Sequence, residues 1–184
     1  MLQTNWIVIT GGPSSGKSTL IEYLRSQGYQ VVPESARVLI DEETAKGKTL
    51  QEIRADEDKF QKRIIQIQVE MEKRASVEQL TFFDRGIPDS IVYYNIHGGN
   101  SAAALKESQK RRYRGVFLCE QVPFKKDYAR TENQKIAHEI SKLLYETYTN
   151  LGYEVIKVPL MSVEDRASLI LKELSRDPRE SGDS

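Results

Sequence analysis

The chain lacks the features that define several protein classes. Cys119 is the only cysteine among 184 residues, which excludes a disulfide framework and a cysteine-ligated zinc site. Lysine plus arginine and aspartate plus glutamate number 27 each, so no net charge draws the chain to nucleic acid or to an anionic membrane. No apolar run approaches the roughly 20 residues that a membrane-spanning helix needs. These absences predict a soluble, cytoplasmic protein without a membrane span and without nucleic acid as a partner.

A chain of this length is most simply one domain around one core. We predict a single domain over residues 1–174. The remaining residues, 175–184, are polar and include proline and glycine, so we expect a disordered tail there.

One segment carries a specific signature. It reads GGPSSGKS and matches the P-loop pattern G-x-x-x-x-G-K-[ST]. A short β-branched apolar run precedes it, and apolar residues at helical spacing follow it. The alternative is a chance match in an ordinary turn, but the flanking strand and helix supply the context that the motif requires. The predicted phosphate-binding residues are Gly11, Gly12, Pro13, Ser14, Ser15, Gly16, Lys17, Ser18 and Thr19.

The chemistry of this segment follows from its main chain. Between a strand and a helix N-terminus, free N–H groups and the positive end of the helix dipole face one point and form an anion-binding nest. Lys17 would reach the β- and γ-phosphates, and the Ser18 hydroxyl would ligate Mg²⁺. The expected cofactors are therefore ATP and Mg²⁺. GTP stays an open alternative, because no guanine-reading motif is visible and adenine is often read by main-chain groups.

Strand-like runs alternate with helical segments along the chain. The predicted strands cover residues 6–10, 29–33, 80–83, 115–119 and 153–158. A helix between the second and third strands is indicated by apolar residues spaced four, three and four apart, namely Phe60, Ile64, Ile67 and Met71. The alternation predicts an α/β fold in which helices cover both faces of a parallel sheet. Ligands of such sheets bind at the carboxyl ends of the strands.

Two candidate residues follow the third strand. Asp84 comes after an apolar run, which is the Walker B arrangement of a carboxylate that holds Mg²⁺. Its alternative interpretation is an ordinary aspartate in a turn. Arg85 offers a rigid fork of donors for a substrate, or is a solvated turn residue.

Glu34 follows the second strand. A carboxylate at this place could accept a proton from an attacking hydroxyl while the γ-phosphoryl group is transferred. The alternative is an acid at a helix start, stabilised there by the helix dipole.

Basic residues occur on both sides of the fourth strand. Arg130 lies after it, with Lys125 and Lys126, in a segment that could close over the triphosphate and neutralise developing charge as a catalytic cation. A solvated surface loop is the alternative. A denser basic cluster over residues 110–114 precedes the strand, so we expect it at the opposite edge of the sheet, as surface charge.

These segments together resemble the small P-loop proteins of the AAA or predicted-ATPase type, related to the nicotinamide riboside kinase domain and to nucleoside-kinase-like NTPases. The resemblance covers nearly all of residues 6 to 174 and rests on IVITGGPSSGKSTL, GYQVVPESAR, FFDRGIPDS and GYEVIKVP. It implies a kinase-like P-loop fold with a five-stranded parallel sheet. The chain is too short for the C-terminal helical lid of AAA+ motors, so unfoldase activity is not expected.

The resemblance also implies roles for particular residues. Deoxynucleoside kinases place a catalytic glutamate after the second strand and an acid–arginine pair after the third. By that similarity Glu34 would be the base, Asp84 would hold the metal, and the substrate site would include Glu34, Arg37, Arg85 and Asp89.

Two functions compete at this point. The first is Mg²⁺-dependent transfer of the γ-phosphoryl group of ATP to a small hydroxyl-bearing metabolite such as a nucleoside. The second is a regulatory ATPase or GTPase, or a nucleotide-dependent binding protein, without a small-molecule acceptor.

Overall fold

The computed structural model describes residues 1–121 and 131–176, with the side chains of 131–134 left out. The strands of this part are β1 (Leu2–Gln3), β2 (Trp6–Thr10), β3 (Gln30–Val32), β4 (Thr81–Asp84), β5 (Arg111–Arg112), β6 (Gly115–Cys119) and β7 (Val155–Val158). Its helices are α1 (Lys17–Ser26), α2 (Ser35–Ala45), α3 (Leu50–Ile53), α4 (Glu57–Arg74), α5 (Ile87–Ile96), α6 (Ala102–Ser108), α7 (Thr131–Asn150) and α8 (Val163–Ser175).

Five strands form one parallel sheet in the order β3-β4-β2-β6-β7, and β1 pairs separately with β5. The P-loop strand β2 is central and fully buried because every residue in it is apolar except Thr10 at its end. Its side chains alternate between the two faces of the sheet. Ile7 and Ile9 pack in a cluster with α1 and α8, and Trp6 and Val8 pack in a second cluster on the other face. The predicted α/β fold is therefore confirmed.

Helix boundaries follow local signals. Helix α8 begins after Ser162, whose hydroxyl accepts a hydrogen bond from the Asp165 main-chain N–H and caps the helix. This helix continues to Ser175, one residue past the predicted end of the domain, and residues 177–184 of the predicted tail lie outside the described part. In the part of the chain that the structure describes, no helix combines the length and the apolar composition needed to cross a bilayer.

The predicted stripe on α4 needs a correction. Phe60 is buried, but Ile64, Ile67 and Met71 are only half-buried. The buried line of the helix lies one residue further on and is mostly polar: Gln61, Ile65, Gln68 and Glu72. Apolar spacing alone could not find this face, since three of its members carry hydrogen-bonding side chains.

The basic cluster before β6 lies at the amino-terminal edge of the sheet, as predicted, but its arginines are not surface charge. Arg112 donates to the carbonyl oxygens of Leu151 and Gly152 and stacks over the ring of Tyr153. Arg111 pairs with the buried Glu72, with 3.6 Å between Nη1 and Oε2. These side chains hold the edge of the fold together.

Candidate active site

The P-loop turns sharply between β2 and α1. Gly16 precedes α1 with φ +77°, a conformation that a side chain strains. Gly12 has no room for a Cβ atom, which would lie against the Ala137 carbonyl oxygen and 2.7 Å from the Ser141 Oγ. Ser14 adopts φ +60° without being glycine. Among the described residues the one other such non-glycine residue is Arg85, at φ +73°, so both strained positions lie at this edge of the sheet.

Lys17 is the first residue of α1, directly after the P-loop turn. Its side chain is buried, and Nζ donates to the Gly12 carbonyl at 3.3 Å and to the Ser15 hydroxyl at 3.4 Å. Burial lowers the pKa of Lys17 to about 8, and the neighbouring charge of Arg85 adds to this, while Asp84 and Glu34 oppose it. A bound polyanion would favour the charged form again.

Asp84 ends β4 beside the P-loop strand. It is 6% exposed, and burial, followed by the charge of Glu34, raises its pKa to about 6. Within the described residues its Oδ1 is buried without a hydrogen-bond partner. A buried carboxylate oxygen without a donor fits a hard cation such as Mg²⁺, and the exposed Ser18 hydroxyl at the start of α1 is the second oxygen of the predicted metal site.

Glu34 and Arg85 form an ion pair across the sheet edge. Glu34 precedes α2, but its side chain makes no capping hydrogen bond there. Instead Oε1 accepts from Arg85 Nε at 2.8 Å. The same guanidinium donates through Nη1 to the Gly11 carbonyl at 3.3 Å and lies over the ring of Tyr93. Glu34 thus lies at the start of α2 without capping it, and Arg85 is a partnered residue rather than a solvated one.

Asp89 anchors this arrangement from α5. It is 2% exposed and accepts four hydrogen bonds. Oδ1 accepts from Arg85 at 3.0 Å and from the Thr10 hydroxyl at 2.7 Å. Oδ2 accepts from the Gly86 N–H at 3.1 Å and from the Tyr148 hydroxyl at 2.6 Å. With both oxygens occupied, Asp89 would act on a substrate through Arg85, as a positioning residue.

The other predicted residues that the structure describes are exposed or half-buried around this site or line the P-loop turn. Arg37 is exposed in the first turn of α2, and Pro13, Ser18 and Thr19 are exposed on the P-loop and α1. Arg130, Lys125 and Lys126 lie outside the described residues. The structure thus brings Lys17, Glu34, Asp84, Arg85 and Asp89 within electrostatic reach of one another at the carboxyl edge of the sheet.

Sequence reasoning missed side chains that hold the P-loop, among them Arg166, Gln121 and Ser141, whose Oγ accepts from the Gly12 N–H at 3.0 Å. Arg166 of α8 is 3% exposed and donates to the Ser15 carbonyl at 2.6 Å. Gln121 Nε2 donates to the Pro13 carbonyl at 2.7 Å. Gln121 is the second residue after β6, so the rule that ligands bind at the carboxyl ends of strands could have found it. Nothing in the sequence distinguishes Arg166 from the other charged residues of α8.

The central strand, the P-loop, α1 and the acids at neighbouring strand ends define a P-loop NTPase of kinase-like fold. Residues 6–166 match the family described as AAA domain, and the chain belongs to that family. Among proteins of curated function, none is similar enough in sequence to match.

Several solved structures share the fold. The NadR protein in complex with NAD and AMP-PNP matches over 92% of this chain at 18% identity and a TM-score of 0.68, and this chain spans only 49% of it. Thymidylate kinase from Candida albicans matches over 92% of this chain and 90% of its own length, at 15% sequence identity and a TM-score of 0.59. Deoxyadenosine kinase from M. mycoides matches over 92% of this chain and 98% of its own length, at 17% sequence identity and a TM-score of 0.56. At these identities the likeness is one of fold.

Proposed function

We propose that this protein binds ATP with Mg²⁺ and transfers the γ-phosphoryl group to a hydroxyl of a small metabolite such as a nucleoside. The observation that carries the proposal is the position of Glu34. Its carboxylate lies at the carboxyl edge of the sheet, 2.8 Å from an arginine that also contacts the P-loop, and it is not used to cap α2.

The P-loop would bind the triphosphate. Its main-chain N–H groups and the start of α1 offer donors and positive potential, and Lys17 supplies a charge close by. Asp84 and Ser18 would hold Mg²⁺, which when bound neutralises charge on the β- and γ-phosphates. The orphaned Oδ1 of Asp84 supports this assignment.

Glu34 would accept the proton of the attacking hydroxyl. Its Oε1 is occupied by Arg85, so Oε2 is the atom assigned to this step. Arg85 orients the carboxylate, and Asp89 orients Arg85 in turn. Catalysis of phosphoryl transfer depends mostly on positioning and electrostatics, so a carboxylate fixed in this way is sufficient for the role.

The acceptor would lie between the P-loop edge and the helices α2 and α4. Glu34 directly precedes α2, and Gln68 of α4 donates to the Arg85 carbonyl at 3.4 Å, so both long helices reach the site. A compact hydroxyl-bearing molecule beside Glu34 would place its oxygen next to the carboxylate.

A regulatory NTPase is the second candidate, and one contact favours it. Arg85 bonds at the same time to the Gly11 carbonyl of the P-loop and to Glu34 before α2. A change in the P-loop on nucleotide hydrolysis would therefore reach α2 through one side chain, which is the kind of coupling that a switch uses.

ATP consumption in the presence of candidate acceptors tests the proposal. Purified protein with Mg²⁺ and ATP would be assayed against nucleosides, nucleotides and riboside vitamins, with a no-acceptor control and Lys17→Ala as the inactive match. Turnover that depends on one acceptor class is expected. Hydrolysis that is the same without any acceptor would favour the regulatory candidate.

A further inference from the structure

Four side chains donate hydrogen bonds to carbonyl oxygens of the P-loop. A peptide's C=O and N–H point in opposite directions, so a loop whose N–H groups converge on an anion turns its carbonyl oxygens the other way, where they need donors. Two donors fit this pattern: Gln121 for Pro13 and Arg166 for Ser15. Arg85 and Lys17 donate to Gly11 and Gly12 at the beginning of the loop, where the Gly12 N–H itself donates to the Ser141 hydroxyl.

Arg166 joins the P-loop to two other loops. Its Nη1 donates to the Ser15 carbonyl at 2.6 Å, and Nε and Nη2 each donate at 3.0 Å, to the carbonyls of Pro159 and Glu120. These carbonyls belong to the P-loop and to the segments that follow β7 and β6. A planar guanidinium fixes the directions of its donors, so one side chain sets the positions of the three segments relative to one another.

The strained residue of the P-loop lies between the two residues whose carbonyls Gln121 and Arg166 hold. Ser14, at φ +60°, follows Pro13, whose carbonyl Gln121 holds, and precedes Ser15, whose carbonyl Arg166 holds. A residue in this conformation persists only where its surroundings fix it. The Arg166 guanidinium also lies directly behind the turn, because a Cβ atom on Gly16 would be 3.0 Å from its Nη1.

We propose that Arg166, assisted by Gln121, is a positioning residue of the phosphate site. It holds the Ser15 carbonyl away from the site and thereby keeps the neighbouring N–H groups aimed at the triphosphate. Without it, Ser14 relaxes to an ordinary backbone conformation and the nest opens, although Lys17 and Asp84 are unchanged. The inference rests on the proposed nucleotide binding and goes beyond it, since Arg166 lies on α8 and its hydrogen bonds go to main-chain carbonyls.

The test compares Arg166→Lys with Arg112→Lys. Both arginines donate to main-chain carbonyls, but Arg112 does so at the opposite edge of the sheet, to Leu151 and Gly152. Binding of MgATP and of Mg²⁺ with inorganic tripolyphosphate would be measured by titration calorimetry, and folding by urea unfolding of the same preparations. Arg166→Lys should weaken both ligands by about tenfold, as expected for lost hydrogen bonds that organise a charged ligand. Arg112→Lys should lose stability and keep its affinities.

Gln121→Ala provides the second variant, because this half-buried residue can be truncated with little risk to the fold. It should weaken both ligands by about threefold to fivefold. Unchanged affinity in folded Arg166→Lys and Gln121→Ala would overturn the inference, as would an equal loss in Arg112→Lys. If Arg166→Lys does not fold, the Gln121→Ala result decides alone. A parent protein that binds neither ligand would overturn the proposed function itself, which is a distinguishable result.

Discussion

Burial of charge governs the residues of the site. Lys17 and Asp84 are both buried, and burial moves each pKa toward neutrality, to about 8 and about 6. Each ion lacks the solvation that water would give it, and a magnesium–triphosphate complex supplies opposite charge to both. Burial costs free energy in the unliganded protein, and ligand binding offsets this cost. Ligand affinity should therefore depend on the ionisation of Lys17 and Asp84, and so on pH.

The first prediction concerns MgATP affinity above neutral pH. The ligand prefers protonated Lys17, whose pKa in the free protein is about 8 rather than the usual 10.5. Affinity should therefore be level between pH 7 and 8 and fall above pH 8, by up to about tenfold per pH unit. Lys17→Ala should bind at least about tenfold more weakly, about 1.4 kcal/mol, without this fall. Calorimetric titrations from pH 7 to 10 measure it, and a parent curve that stays level to pH 10 would contradict the assignment.

The sequence alone could predict those site residues that belong to a recognisable motif. Lys17 and Asp84 could be predicted to lie at one edge of the sheet, because a P-loop and a strand-end acid have fixed places in an α/β sheet. The partners of Arg85 could not be found in this way, since Glu34 lies 51 positions away and the pairing depends on the order of strands β3 and β4. The buried position of Arg166 could not be predicted either, because its hydrogen bonds go to main-chain carbonyls, and every residue has one of these.

At the scale of elements, the start of α5 is the junction that fixes the site. Asp89 bonds to the Gly86 N–H at the start of its own helix, to Thr10 at the end of β2 and to Tyr148 on α7. Three elements thereby converge on one carboxylate that also holds Arg85. The position of Arg85 is consequently a property of how these elements pack.

The second prediction tests this junction. Asp89→Asn keeps the shape of the side chain but removes the buried charge opposite Arg85, so the free energy of unfolding should fall by about 3 kcal/mol. Asp58→Asn is the matched control, because Asp58 pairs with Lys62 on the exposed face of α4 and should change stability by less than about 0.5 kcal/mol. Urea unfolding compares the two, and equal small losses would show that Asp89 is no anchor.

The α4 helix shows where prediction from periodicity ends. Its existence followed from apolar spacing, but its rotation about its own axis did not, because the buried line includes Gln68 and Glu72. These polar side chains are buried since they have partners: Gln68 donates to the Arg85 carbonyl, and Glu72 accepts from the Tyr113 hydroxyl at 2.7 Å. A hydrogen bond to a distant element is invisible to local pattern.

For the whole molecule, Glu72 links stability to pH. It is 1% exposed, and burial raises its pKa from 4.5 to about 7, although the Tyr113 hydrogen bond and the Arg111 charge oppose this. The folded state then binds more protons than the unfolded state between about pH 4.5 and 7. Stability conferred by the protonated carboxyl is present at low pH and lost as pH rises through about 7.

The third prediction follows from the loss of this stabilisation as the pH rises. Glu72→Gln stays neutral at every pH, so its stability relative to the parent should rise between pH 5 and pH 8, by about 3 kcal/mol at most. Urea unfolding of both proteins across this range measures the difference, which cancels contributions from Asp84 and other shared groups. A difference that does not vary with pH would show that Glu72 titrates normally.

The claim that most needs a direct test is that Glu34 is the base of a phosphotransferase. The measurement is single-turnover transfer of phosphoryl from γ-labelled ATP to the acceptor selected by the turnover screen, with parent protein, Glu34→Gln and the control Glu164→Gln. Glu164 is an exposed acid in the first turn of α8, so it matches the change in charge without the site. We predict transfer about a hundredfold slower in Glu34→Gln, with MgATP affinity retained and Glu164→Gln equal to the parent. Transfer at the parent rate in folded Glu34→Gln would contradict the account.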